Sequence, residues 1–236
     1  MIGLYLAASG AAATLGALSS VADNIANLAT PGFKRLLNSA ESVSGNGTPY
    51  QFAVPASSPV IDRSQGPIQA TNNPMDVAIT GPGFITVQGP NGTAYTRNGT
   101  LAVQPDGTLT AAGYPVLTTA GGTISIKTPG SIVIGGDGSV NVNGQPVGKI
   151  GIADPTGIKV VALGASLYRG ANGEEFPPAT SSSQMHQGFL EGATGSEMGE
   201  ITSMLGMMRN YESSMKAVQS MDSGQNQVIQ TFTLQA

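Results

Sequence analysis

The chain has no cysteine, no tryptophan and a single histidine, and only 10% of its 236 residues are charged. Without cysteine there is no disulfide, no thiolate metal site and no thiol nucleophile. That composition suits a protein that crosses, unfolded, into an oxidising space without cross-linking. The lone His186 sits in Ser-Gln-Met-His-Gln with no second histidine and no acidic cluster beside it. It is expected to be a solvated loop residue, because a metal site or a nucleophile–base pair needs partners that this neighbourhood does not supply. The net charge is −4 and ten basic residues are scattered along the chain, so no electrostatic footprint for nucleic acid exists. A typical soluble domain is about 25% charged; a surface this poor in charge suits a chain whose flanks are buried in an assembly.

Long apolar runs are also missing. No stretch of about 20 apolar residues is present, and no membrane-spanning helix is expected. The segment Ile2–Ala13 is apolar enough to resemble the core of a signal peptide, but the first positive charge is Lys34, and no cleavable secretory signal is expected. The carboxylates Asp62, Asp76, Asp106, Asp137 and Asp154 fall in or near turns beside Gly or Pro, where Asp is a structural choice and not a hydrolytic pair. Gly81-Pro82-Gly83 has two of the glycines of a phosphate loop, but no Lys follows and no helix opens there; it reads as a turn. No catalytic residue, cofactor site or metal site is expected.

What the sequence does have is helical periodicity at both ends. Leu4, Ala8, Ala11, Leu15, Leu18, Ala22 and Ile25 follow an unbroken 4-3 spacing, the seam of a helix built to wrap another helix. Ile201, Met204, Met208, Tyr211, Met215 and Val218 repeat it near the other end, and Met221, Val228 and Phe232 prolong the stripe after a slip in register. The seven methionines from Met185 onward share this spacing, which argues for adaptable packing and not for a soft-metal site. The first helix, over 1–29, is weak alone: Gly3, Gly10 and Gly16 interrupt it, no charge occurs before Asp23, and each interior Gly costs about 1 kcal/mol relative to Ala. Such a segment orders when neighbours surround it. Asn24 and Asn27, at the end of the seam, either fix axial register through hydrogen bonds or cap the helix end.

Between the helices the language changes to Gly, Thr, Ser, Val and Pro in short runs. Thr30-Pro31-Gly32 stops the first helix. An extended connector is expected over 33–71, with a short helix at Lys34–Ser42. Strands are expected at Val77–Ile79; Phe84–Val87 with Ala94–Arg97 as a hairpin; Leu101–Val103 with Leu109–Thr110; Ile124–Ile126; Ile132–Ile134 with Val140–Val142; Lys149–Ile152; and Ile158–Val161. Asn172–Gln187 reads as a loop. The fold class is α+β: N- and C-terminal helices forming a coiled-coil-like pair that flanks a mainly antiparallel β barrel or sandwich, divided at 1–32, 33–71, 72–190 and 191–236.

Four ordered blocks resemble bacterial flagellar rod and hook proteins: Asn24-Ile25-Ala26-Asn27-Leu28-Ala29-Thr30-Pro31-Gly32-Phe33-Lys34; Asn73–Ile79 with Gly81-x-Gly83-Phe84; Tyr95-Thr96-Arg97-Asn98-Gly99; and Leu190-Glu191-Gly192 followed by Met204, Arg209-x-Tyr211-Glu212 and Lys216. The opening Leu6–Ala11 and the short length are more similar to the proximal-rod branch of this family than to the distal-rod branch. Ala193-Thr194-Gly195-Ser196 departs from the Ser-Asn-Val-Asn-like cap of the family, though Ser196 can still serve as N-cap. The resemblance implies a non-catalytic subunit of the rod in the flagellar basal body, which spans the periplasm. It implies export by the flagellar type III apparatus without loss of a peptide, and assembly with other rod subunits into a hollow helical tube through the two seams and Asn24 and Asn27. No nucleic acid, membrane insertion or cofactor is implied. A secreted β-sandwich adhesin or carbohydrate-binding module, whose helices pack on its own body, and a secreted hydrolase are the alternatives from other classes.

Overall fold

The computed structural model describes the backbone of residues 2–38, 40–44, 51–55, 59–164, 166–179 and 183–233, and the side chains of 8–38, 59–164, 166–179 and 183–224. Two helices, α1 (Ile2–Ala26) and α2 (Glu197–Thr233), enclose a series of short strands in chain order. The chain divides into two compact units. One comprises Met1–Ile25, Leu37–Pro59 and Glu197–Ala236, and the other Ala26–Leu36 and Val60–Ser196. The α+β class expected from the sequence is the class observed. No helix is long and apolar enough to cross a membrane among the described residues.

In the second unit a five-stranded antiparallel sheet runs in the order Ile152–Ala153, Phe84–Gly89, Gly92–Thr96, Leu167–Gly170, Val160–Gly164. Two meanders of three strands follow the same logic of short strands and glycine turns: Leu101–Val103, Leu109–Ala111, Tyr114–Pro115, and Ile132–Ile134, Ser139–Val142, Gln145–Lys149. Val77–Thr80 pairs with Gln184–Gln187, and Ile68–Ala70 with Phe189–Glu191, both antiparallel. None of these sheets closes on itself among the described residues. Alternation sets their inner faces: in Ser139–Val142 the two valines point inward, where they join Ile85, Val87, Leu109, Val116, Ile124 and Ile150 in the larger apolar cluster. A smaller cluster is aromatic, with Phe84 edge-on to Tyr168 at 5.6 Å and Tyr95 stacked on Phe176 at 3.9 Å.

Several expectations are corrected. The short helix expected at Lys34–Ser42 is extended: Leu36–Leu37 and Ala40–Ser44 are strands, the second paired to Gln51–Pro55, and Ser39 lies outside the described residues. Burial of Lys34 and Leu36 on alternate positions overrides the local helical propensity. The expected connector over 33–71 thus carries five short strands among its described residues. Ile124–Ile126 makes only an isolated bridge, Ser125 to Thr108, although both isoleucines are buried. The expected strand Lys149–Ile152 is split, because Lys149 ends one strand and Ile152 begins another. The expected loop Asn172–Gln187 ends in the strand Gln184–Gln187, so His186 is an exposed strand residue, its Nε2 3.0 Å from Thr80 Oγ1. That strand is legible only through its partner, Val77–Thr80, which lies about a hundred residues away in sequence.

Gly99 receives Val77 into its backbone: Val77 N–H donates to Gly99 O at 3.0 Å, and a Cβ added at Gly99 would fall inside the van der Waals radius of Val77 O. The two nearest contact atoms, Val77 O and its carbonyl carbon, are main chain and cannot step aside. Gly99→Ala is therefore expected to lower stability by about 3 kcal/mol in a urea titration. Gly122→Ala, whose methyl meets only Thr118 Oγ1 at 3.7 Å, should stay within about 0.5 kcal/mol in the same urea titration.

Candidate assembly interface

The first unit shows how the helical seams are used. On α1, Ala11, Ser20, Val21 and Asn24 are buried. Asn24 Nδ2 donates to Glu200 Oε2 of α2 at 3.2 Å, a buried bond that ties the end of one helix to the start of the other. Glu200 stands in the first turn of α2, where the helix dipole favours a negative charge, and Ser196 occupies the N-cap position immediately before Glu197. Asn38 Nδ2 donates to Ala17 O at 3.0 Å.

The expected interface residues divide. Ala11 and Asn24 are buried; Leu18, Ile25, Asn27, Met204, Tyr211, Met215 and Val218 are half-buried; Ala8, Leu15, Ala22, Ile201 and Met208 are exposed. The side chains of Leu4, Val228 and Phe232 lie outside the described ones. Asn24 reaches across to α2, while Asn27 closes a turn, its Oδ1 accepting from Thr30 Oγ1 at 3.4 Å and its carbonyl from Thr30 N–H at 2.9 Å. On α2 the line facing inward is Glu200, Met204, Met207, Tyr211, Ser214 and Val218, one half-step from the expected seam.

A second line is exposed, of which the sequence reading named Ile201 and Met208 but not Met198 or Leu205: Met198 at 76% and Leu205 at 54%, together with Ile201 and Met208, recur at 3-4-3 steps. The signal was present, since these positions carry the same spacing shifted in register. Exposed apolar stripes of this kind are informative where isolated exposed leucines are not.

Residues from each of the four sequence blocks converge elsewhere, inside the second unit. Glu191, with a fully buried side chain, accepts from Lys34 Nζ at 2.7 Å through Oε1 and from Arg97 Nη1 at 2.9 Å through Oε2. Gly66 N–H adds a third bond to Oε1 at 2.8 Å. Lys34 Nζ also donates to Ser64 O at 2.6 Å, and Arg97 donates to Ile79 O at 3.0 Å and to Gly81 O. The Arg97 guanidinium lies over the Phe84 ring, 4.9 Å from its centroid. Burial pulls the Lys34 ammonium below the usual lysine range, and its pairing with Glu191 opposes that pull. Burial likewise raises the Tyr168 hydroxyl, which accepts from Lys34 N–H at 2.7 Å.

The main chain around this clasp is stapled as well. Gly32 N–H donates to Glu191 O at 2.7 Å, Thr194 N–H to Phe33 O at 3.1 Å, and Arg35 N–H to Thr194 Oγ1 at 2.8 Å. Segment 32–35, which follows α1, therefore runs beside segment 191–194, which precedes α2. Gly32 is required at φ +66°, where an added Cβ would meet the Arg97 carbonyl. Sequence reasoning quoted Lys34, Arg97 and Glu191 as motif letters without pairing them. The available signal was three charges within glycine-bearing motifs of a chain with few charges.

Four of the five aspartates assigned to turns from the sequence are engaged there. Asp62, Asp106, Asp137 and Asp154 each accept from the backbone N–H two residues on, at 2.9–3.1 Å. Hydrogen bonds from Ser139, then the ammonium of Lys149, hold Asp137 well below the usual carboxylate range. Among the described residues no group of three or more His, Asp or Glu could hold a metal ion.

Residues 4–34 match the family model described as flagella basal body rod protein, and residues 78–142 match the flagellar hook protein FlgE/F/G D1 domain. The flagellar basal-body rod protein FlgF of Escherichia coli is 30% identical over 98% of both chains. FlgF of Caulobacter vibrioides is 35% identical over 84% of both. The rod protein FlgG of Borreliella burgdorferi is 30% identical over 94% of this chain and 95% of its own. The chain belongs to the flagellar basal-body rod protein family, and within it is FlgF-like.

Removing one member of the clasp leaves buried charge without a partner. Glu191→Gln is expected to destabilise the protein by about 3–5 kcal/mol. The triple change Lys34→Met, Arg97→Met, Glu191→Leu should recover most of that loss, because no buried charge then remains. Urea denaturation followed by far-UV circular dichroism measures both.

Proposed function

We propose that this chain is a non-catalytic structural subunit of the proximal part of the flagellar rod, joining its neighbours through α1 and α2. The observation that carries the reading is the exposed stripe Met198, Ile201, Leu205, Met208 beside an inward line that the chain already uses itself. A helix with two apolar lines has one more than its own fold consumes. The expected seam positions Ala8 and Ala22 on α1 are small and exposed, which permits close helix approach, and Leu15 between them is an exposed apolar side chain.

In this reading α1 and α2 form a coiled-coil-like pair whose register is set by Asn24 and Glu200, and pairs from many copies line a hollow tube. Divisions at 1–32, 33–71, 72–190 and 191–236 then separate axial helices, connector and outer β domain, the latter a barrel- or sandwich-like body of open sheets. The contact is heterologous, the kind that propagates along an open helical lattice. Torque passes along the tube because many small contacts must shear together. Partners are other rod subunits and the flagellar type III export apparatus, and the place of action is the periplasm-spanning rod. The absence of cysteine supports passage of an unfolded chain without cross-linking.

Removing residues 2–25 is expected to leave the β-rich unit folded and monomeric and to abolish incorporation into the rod. Sedimentation of the purified variant and the composition of basal bodies isolated from cells carrying it test this. Incorporation at the normal level would overturn the reading.

A further inference from the structure

Asparagine precedes glycine at Asn46, Asn91, Asn98, Asn143 and Asn172, of which Asn46 lies outside the described residues. The pairing is chemically labile, because a glycine has no Cβ to keep its nitrogen away from the asparagine side-chain carbonyl. The structure sorts the other four by what holds them. Asn143 is clamped: its Oδ1 accepts from Ser131 N–H at 3.0 Å, its Nδ2 donates to Pro129 O at 3.4 Å, and its own N–H donates to Ser131 O at 3.0 Å. Asn98 is half-buried, its Oδ1 accepts from Thr100 N–H at 3.0 Å, and Gly99 is pressed against the Val77 carbonyl. Asn91 and Asn172 are exposed, and their side chains hold no hydrogen bond among the described residues. These two differ in the nitrogen that follows. Gly92 belongs to the strand ladder opposite Gly89, whereas Gly173 lies in an exposed turn where its N–H donates to Gly170 O at 3.0 Å.

We propose that Asn172 is a site of spontaneous modification in the folded chain, converting to aspartate and isoaspartate ahead of the other described Asn-Gly pairs. The Gly173 nitrogen, its proton lost to hydroxide, attacks Cγ of Asn172. A C–N bond forms there, the bond from Cγ to Nδ2 breaks, and the side-chain nitrogen takes a proton from water and leaves as ammonia. The succinimide so formed adds water at either carbonyl and opens to an aspartyl or an isoaspartyl residue. Water is consumed and ammonia released, with no change of oxidation state. Either product places a new carboxylate beside Glu174 and Glu175. The isoaspartyl form also lengthens the main chain between Gly170, packed against the Glu174 backbone, and Phe176, stacked on Tyr95. The reaction needs neither a neighbouring subunit nor the terminal helices. Asn98 and Asn143 are spared because the contacts that hold their carboxamides must open before a succinimide can close, and such protection exists only while the β-rich unit is folded.

The full-length chain is incubated in mildly alkaline buffer, with a parallel sample in concentrated urea, and the conversion of each asparagine is followed over time by peptide mass spectrometry. In the folded sample Asn172 is expected to convert first and Asn91 next, with Asn98 and Asn143 slower than Asn172 by roughly tenfold or more. In urea the four should convert within a few-fold of one another, since each then has only a glycine beside it. The proposal is overturned if Asn98 or Asn143 keeps pace with Asn172 in the folded chain, if Asn91 outruns Asn172, if Asn172 stays intact while the urea sample reacts, or if the folded order persists unchanged in urea.

Discussion

The carboxylate of Glu191 is the point on which the β-rich unit turns. Lys34, Arg97 and Gly66 all donate to it, and the three come from stretches far apart in the chain. A buried ion triad of this kind adds little net stability compared with a well-packed apolar cluster, since desolvation offsets most of the Coulomb gain. What it supplies is specificity. The paired charges, with the backbone bonds beside them, hold segments 32–35 and 191–194 in one alignment. The glycines around the clasp serve the same end: at Gly32 and Gly99 the neighbouring backbone lies where a side chain would be.

Helix α2 carries two lines of different exposure. One line of α2 faces inward and is half-buried within the chain's own unit, anchored by the Asn24–Glu200 bond. The other is apolar and exposed. Helix α1 gains little from its own sequence, being rich in glycine and small residues and poor in ion pairs, so its order depends on what packs against it. Asn24 is useful in such a setting because a single buried polar pair rejects shifted registers that apolar residues alone would tolerate.

The extents of both helices were legible because 3-4 periodicity is a local property, and the hairpins at Phe84–Thr96 and Leu101–Ala111 were legible because a Pro-Asn-Gly or Pro-Asp-Gly turn joins two β-branched or aromatic runs. The strand Gln184–Gln187 was not, because its sequence is polar and its only reason to extend is Val77–Thr80, distant in the chain. Lys34–Ser42 looked helical for the same reason: the force that extends it is the burial of Lys34 against Glu191, which no local window contains. On α2 the periodicity identified the helix but not which of two overlapping registers faces inward. Spacing alone cannot choose between Met204–Tyr211–Val218 flanked by Glu200 and Met207, and the same trio flanked by Ile201 and Met208; the buried carboxylate of Glu200 decides it. The clasp itself escaped because pairing of charges across long separations leaves no periodic trace.

Lys34 and Glu191 are 157 positions apart in the chain. Loop closure over that span is entropically opposed, and nothing in the clasp is repaid until both ends arrive. A chain that emerges amino end first from synthesis therefore cannot tie this central knot until just over four-fifths of its length has appeared.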